Sequence, residues 1–282
     1  LQRLRLARAL ASGYPDFLMR RLVEDLDERL GAVLRPFPHA LDLGSPTGHV
    51  ADMLHARPGA ELVTRLAALP GAGVDVVGDE EALPFGAGAF DLVVSVMALH
   101  GINDLPGALA QVRRALRPDG LFMAAMLGGR TLTELRAVLL EAESAIEGGA
   151  SPRVAPFADL RDLGALLQRA GLALPVADSD LLTLRYGSAV ELMRDLRAMG
   201  LTNALSDRSR RPLRRETLMR ALSLYQERHA DADGRIRASF EVVWLSGWAP
   251  HESQQKPLRP GSAKARLADA LNAIETKLPG RE

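Results

Sequence analysis

The sequence predicts an α/β protein built on a doubly wound, mostly parallel sheet. Three observations carry that expectation. Short apolar runs at 39–43, 90–95 and 121–126 have the near-continuous hydrophobicity of strands covered on both faces. Segments with helical spacing of apolar residues separate them, at 49–55 and 105–116. The first run ends in an acid and a glycine-bearing turn, Ala40-Leu41-Asp42-Leu43-Gly44-Ser45-Pro46-Thr47-Gly48, which has the shape of a nucleotide-binding first loop. Strands alternating with helices in this way need crossover connections, and those make parallel pairs.

The elements follow in order. Residues 1–10 alternate basic and apolar side chains and predict a basic amphipathic helix, although arginines without acids also give the segment a transit-peptide character. Phe17, Leu18, Leu22, Leu26 and Leu30 fall on one helical face over 16–34, and Pro36 and Pro38 end that helix, so 1–36 is expected to be an N-terminal helical segment. A strand at 39–43, a helix from His49 to His55, short strands at 62–63 and 74–77, and a strong strand at 90–95 come next. A helix over 105–116 closes on Arg117-Pro118-Asp119-Gly120 as a turn, and 121–126 returns as a strand. Beyond Gly128-Gly129 the pattern is more helical, with helices at 131–147, 160–170, 189–199 and 216–229 and strands at 172–184 and 239–248. The expected division is a core over 37–187, a helical lid inserted over 188–235, and a last strand and tail over 236–282. Within that tail, 251–261 is polar and proline-bearing, and a closing helix is predicted at 263–275.

Composition narrows the function. A chain of 282 residues suits one large domain or a domain with an insertion, and 47% hydrophobic with 25% charged residues is ordinary for a folded protein with a sizeable core. Lys+Arg and Asp+Glu are 35 each, so no net charge draws the chain to nucleic acid or an anionic membrane. The absence of cysteine excludes disulfides, thiolate metal sites and cysteine nucleophiles. No apolar run reaches the roughly 18 residues of a membrane-spanning helix, and the expected location is the cytoplasm. The six histidines form no recognisable two-histidine-plus-carboxylate pattern, so no metal site is predicted.

Four segments in order, the first loop, Gly78-Asp79-Glu80-Glu81-Ala82-Leu83-Pro84-Phe85, Phe90-Asp91-Leu92-Val93-Val94-Ser95 and Leu116-Arg117-Pro118-Asp119-Gly120, resemble class I S-adenosylmethionine-dependent methyltransferases. The second segment is similar to the branch that includes malonyl-carrier-protein methyltransferases. Three more stretches, Leu99-His100-Gly101-Ile102-Asn103-Asp104-Leu105-Pro106, Gly128-Gly129-Arg130-Thr131-Leu132-Thr133-Glu134-Leu135-Arg136 and Trp248-Ala249-Pro250-His251-Glu252-Ser253-Gln254, resemble the bacterial and mitochondrial subfamily of a complex I assembly factor regarded as a protein arginine hydroxylase. The resemblance implies a Rossmann-like sheet of seven strands with the last antiparallel, N-terminal helices, and a helical insertion before the last strand. It also implies S-adenosylmethionine as cofactor and a protein substrate, either a complex I subunit or an acyl carrier protein.

The same resemblance implies roles for particular residues. Asp42 contacts the cofactor ammonium, and Gly44, Ser45 and Gly48 form the loop against its amino-acid end. Asp79 and Glu80 meet the adenine, and Ser95 and Met97 line the pocket beneath. His100, with Asn103 and Asp104, lies on the reacting side, where it could act as a base or hold a substrate carboxylate. Family members often carry an aromatic residue where this chain has Gly101. The chain departs from the pattern twice. Pro46 stands on the middle glycine of the loop, and its missing N–H costs about 0.5–1.5 kcal/mol of ligand interaction. The acid expected at the end of the second strand to grip the ribose is absent near Thr64 and Arg65. Three readings therefore stand: methyl transfer to a protein or carrier-bound group, modification of an arginine by a complex I assembly factor, or a non-catalytic binding protein with a degenerate loop. Arg208, Arg210, Arg211, Arg214 and Arg215 could meet an acidic partner, or could simply be a solvated helix end.

Overall fold

The computed structural model describes residues 1–255. One sheet holds β1 (His39–Leu43), β2 (Leu62–Ala67), β3 (Val76–Val77), β4 (Phe90–Val96), β5 (Leu116–Leu127), β6 (Ala173–Tyr186) and β7 (Ile236–Trp248), in the order β3-β2-β1-β4-β5-β7-β6. The pairs from β3 through β5 are parallel, and β7 runs antiparallel to both β5 and β6. The expected sheet, mostly parallel with its last strand reversed, is therefore present. Its strand order reverses between β1 and β4, and this opens a crevice at the carboxyl edge.

The helices are α1 (Gln2–Ala11), α2 (Phe17–Gly31), α3 (His49–Ala56), α4 (Leu105–Ala115), α5 (Thr133–Glu147), α6 (Leu160–Arg169), α7 (Ala189–Ala198) and α8 (Arg215–His229). They cover both faces of the sheet and make two cores. On one face Leu22, Leu26 and Leu30 of α2, Val50 and Leu54 of α3, and Tyr225 of α8 pack with Ala40, Val94 and Met123. On the other, Leu109 and Val112 of α4 and Leu163 and Leu167 of α6 meet Leu41, Leu43, Val93 and Phe122. The strand period of two dictates this sorting: Leu41 and Leu43 look one way, while Ala40 and Asp42 look toward α2 and α3. Each fully buried leucine contributes about 1.5–3 kcal/mol.

Three details differ from the sequence expectations. β2 continues past Val63 to Ala67, because Leu66 finds apolar partners on both sides, Leu43 of β1 and Val76 of β3. β5 starts at Leu116, and the turn residues 117–120 are absorbed into it as an irregularity. The register slips opposite 90–92, Asp119 adopts φ +62°, and the Gly120 carbonyl accepts the Ala249 N–H at 2.8 Å. The last strand begins at Ile236, ahead of the predicted Ser239. Leu1–Pro250 form one unit and the residues from His251 a second, of which 251–255 are described; there the Gln254 N–H donates to the His251 carbonyl at 3.2 Å. The helix predicted over 263–275 lies outside the described residues.

Candidate functional site

The loop from β1 to α3 is shaped by close approach. Gly44 has φ +75°, and a Cβ there would stand 2.5 Å from Glu80 Oε1 and 3.1 Å from the Ala98 methyl, so only glycine fits. Its N–H is already spent on the Leu66 carbonyl at 2.8 Å. Ser45 is buried, and its hydroxyl accepts the Val96 N–H at 3.2 Å, which ties the loop to β4. Pro46 follows with no N–H to offer. Two cavities open along this edge. One, of about 310 Å³, follows Gly44, Ser45, Pro46 and Gly48 and is closed by Arg65 and the connection after β2. The other, of about 360 Å³, lies between Asp79, Glu80, Met97 and His100 on one side and α1 on the other. Gly44, Pro46, Ala68 and Leu6 border both cavities.

Of the residues singled out from sequence, Gly44 thus borders both cavities, Ser45 and Gly48 the first, and Asp79, Glu80, Met97 and His100 the second. Asp42 and Ser95 border neither cavity and are fully buried. Asp42 stands in register with Arg65, whose Nε is 3.6 Å from its Oδ2. The Ser45 hydroxyl and the backbone N–H groups of Ser45 and Ala51 are turned toward the Asp42 carboxylate. Burial pushes its pKa up to about 7, against the opposing pull of Ser45 and the Arg65 charge. Arg65 is itself buried; Nη1 donates to the Ala72 carbonyl at 3.0 Å and Nη2 to the Ser45 carbonyl at 3.4 Å. Sequence reasoning did not select Arg65. Its signal was an arginine inside an otherwise apolar strand, which can be buried only beside an anion.

The expected ribose acid needs a correction of place. Thr64 and Arg65 lie inside β2, and the strand ends at Ala67, followed by Ala68-Leu69. No carboxylate stands at that end either. The connection over 68–75 contains no helix.

The second cavity is acid-lined. Asp79 accepts the Glu81 N–H at 3.0 Å and an Arg3 guanidinium N–H at 2.5 Å. Glu81 Oε1 accepts the backbone N–H groups of Asn103 and, at 3.1 Å, Asp104, which anchors the loop after β4. Burial holds the Glu80 carboxyl above the usual range. His100 sits in a single 3-10 turn, Leu99–Gly101, with its ring edge-on to Phe157 at 5.8 Å. Its Nδ1 is buried without a partner, and burial lowers its pKa to about 4, so the ring is neutral at pH 7. At Gly101 a Cβ would stand 2.9 Å from the Gln2 side-chain nitrogen. α1 therefore fills the space that an aromatic residue at 101 would occupy. Thr202 and its neighbours, where α7 leads toward α8, close the same cavity, while α8 itself packs on α5. Four of the five clustered arginines lie on that connection and Arg215 opens α8. Among the described residues no three His, Cys, Asp or Glu side chains are grouped to hold a metal ion, and no helix is long and apolar enough to cross a membrane.

Residues 17–175 match the family described as a methyltransferase domain. The chain belongs to the methyltransferase-domain family. This methyltransferase-domain protein is 39% identical over 273 residues to the zebrafish (Danio rerio) protein named "Arginine-hydroxylase NDUFAF5, mitochondrial", covering 92% of this chain and 84% of that one. The human protein of the same name is 39% identical, with 94% and 79% covered. A malonyl-[acyl-carrier protein] O-methyltransferase of Laribacter hongkongensis is 34% identical over 265 residues, covering 86% of each. Among solved structures, the YcgJ protein of Bacillus subtilis superposes with a TM-score of 0.54 at 16% identity over 82% of this chain and 99% of that one, which bears on the fold alone. The fold is thus that of the S-adenosylmethionine-dependent methyltransferases. Set against that cofactor, the methyltransferase-domain trough fits in one half only. The second cavity has acids and a methionine wall suited to an adenine nucleoside. The first cavity presents the Arg65 guanidinium, which suits the carboxylate of an amino-acid end, but its Gly44 N–H is spent, Pro46 has none, and the Asp42 carboxylate that would take the ammonium is buried outside it.

Proposed function

We propose that this protein holds a nucleoside of the S-adenosylmethionine type in the trough at the β1/β4 edge and acts on a protein-borne group presented at its acid-lined mouth. The observation that carries the reading is the continuity of the two cavities through Gly44, Pro46 and Ala68, with Asp79, Glu80, Met97 and His100 around the second. In this reading Asp79 and Glu80 hold the adenine, Gly44, Ser45, Gly48 and Met97 shape the cradle, and Asp42 and Ser95 support it from below. His100, neutral and unpartnered at Nδ1, is the proposed acceptor on the reacting side. Methyl transfer to a protein is the reaction class that the family supports.

One observation favours an arginine as the group acted on over a carboxylate on an acyl carrier protein. Asp79, Glu80 and Glu81 all border the mouth, and one of them already accepts a guanidinium, from Arg3. Three carboxylates attract a cation and repel a malonyl carboxylate. The relatives named as arginine hydroxylases point the same way, so a respiratory-complex subunit is the proposed partner class and the cytoplasm the proposed compartment.

Calorimetric titration with S-adenosylmethionine, S-adenosylhomocysteine and 5′-methylthioadenosine tests the cofactor reading. One saturable site is expected, weakened at least tenfold in the Asp79→Ala/Glu80→Ala double variant, whose fold is checked by its melting curve. Absence of heat and of any thermal shift with all three ligands at millimolar concentration overturns the reading. Mass spectrometry of arginine-containing peptides after incubation then shows whether a methyl group or an oxygen is gained.

A further inference from the structure

The stretch that leads from α7 into the first residue of α8 concentrates positive charge beside the second cavity. Over 203–215 it carries Arg208, Arg210, Arg211, Arg214 and Arg215 against a single acid, Asp207, in a chain whose charges balance at 35 of each sign. None of the five arginines borders either cavity. Leu213 packs on the core, whereas Arg210, Arg211, Arg214 and Arg215 are exposed. Among the described residues only Arg214 of the five reaches a carboxylate, that of Glu147, and at a long 4.0 Å. Arg208 turns back on its own segment and donates to the Leu205 carbonyl at 2.7 Å.

The stretch is braced against the mouth of the cavity. Thr202 and Ala204 border the cavity, the Thr202 carbonyl accepts from Arg5 of α1, and Asn203 Nδ2 donates to the Pro152 carbonyl at 2.6 Å. Further along, the Arg211 carbonyl accepts from Arg153 at 3.1 Å. Burial and, after it, the Arg208 charge lower the Arg5 pKa, so two cations are held close together here. α1 itself carries three arginines and no acid. The mouth has the opposite sign, since Asp79, Glu80 and Glu81 border it. A surface complementary to both regions places a cation in the mouth and carboxylates beside it. An anionic bilayer would match the arginines but not the acids of the mouth, and 203–215 exposes no large apolar side chain to insert.

We propose that the arginine-rich stretch 203–215 is a docking rim for the acidic surface of a protein partner, placed so that the partner's target residue meets the mouth. The proposal deepens the reading given above and rests on it for the protein-borne target.

Fluorescence anisotropy with three synthetic peptides tests it. One has an arginine flanked by glutamates, the second the same arginine flanked by glutamines, and the third the glutamates around a central glutamine. On the full chain the first is expected to bind at least tenfold tighter than the second, with the preference falling at high salt as exposed charges are screened. The triple variant Arg210→Gln/Arg211→Gln/Arg215→Gln should abolish that preference while its melting curve and its affinity for 5′-methylthioadenosine stay as in the unmodified protein. Equal binding of the first two peptides overturns the proposal, and so does a preference that survives in the folded triple variant. If that variant does not fold, the salt dependence of the preference in the unmodified protein decides. If the third peptide binds as tightly as the first, the rim stands and the arginine reading of the mouth falls. Co-sedimentation with vesicles of equal parts phosphatidylserine and phosphatidylcholine, without preference among the peptides, makes a membrane the occupant and overturns the proposal.

Discussion

At the scale of the residue, two buried titratable groups in the site oppose each other. His100 has a pKa lowered to about 4 by burial, below its ordinary 6.5. Its unfolded state takes up a proton as pH falls below 6.5 while the folded state does not, so its contribution to stability is complete above that value and is lost as pH falls toward 4. Asp42 has the reverse sign. With its pKa raised to about 7, its contribution is present below 3.8 and is lost as pH rises through 7. Comparing the protein with His100→Gln cancels the Asp42 part. Between pH 7 and pH 5 the unmodified protein should lose about 1–2 kcal/mol relative to the variant, read by urea denaturation at each pH. A difference that does not change with pH would show that the imidazole is solvated in the folded state.

At the scale of the element, the helices around the crevice are fixed by their ends and their apolar faces. α4 begins where the Asp104 carboxylate accepts the Gly107 N–H at 2.8 Å, and the Glu81 carboxylate holds the backbone just ahead of it. Asp104→Ala should lower stability by about 1 kcal/mol and disturb the loop that carries His100, seen as weaker nucleoside binding at unchanged stoichiometry. α2 acts differently, since Leu26 is wholly enclosed between the sheet and α3. Leu26→Ala should cost about 2–5 kcal/mol in chemical denaturation while leaving ligand affinity at temperatures below the transition unchanged. The periodicity of both helices was plain in the sequence, because burial on one face demands it. The length of β2 was not. Thr64 and Arg65 interrupt its apolar run, and the strand continues because Leu66 is paired on both sides while Asp42 on the neighbouring strand faces the Arg65 guanidinium.

At the scale of the molecule, α1 roofs the second cavity. Gln2 and Arg3 reach over Gly101 and Asp79, and Leu6 packs on Gly200, whose φ of +73° turns the chain after α7. The Arg3–Asp79 pair is about half exposed, so it holds the roof weakly. Arg3→Ala should shift stability by less than about 1 kcal/mol and raise the association rate of a nucleoside several-fold by stopped-flow fluorescence. An unchanged rate would mean that ligands enter without moving α1. The sequence by itself determined the strand–helix alternation, the first loop, the acid pair after β3 and the family, because those follow from local pattern and from motifs within a few residues of one another. Tertiary structure alone decided that Asp42 is sealed rather than offered to a ligand, that Arg65 is its partner, and that α1 stands where an aromatic residue would. Each of these depends on charges or volumes brought together from distant parts of the chain. The first loop thus identified the fold, whereas the charge that faces its buried acid stands on the strand beside it.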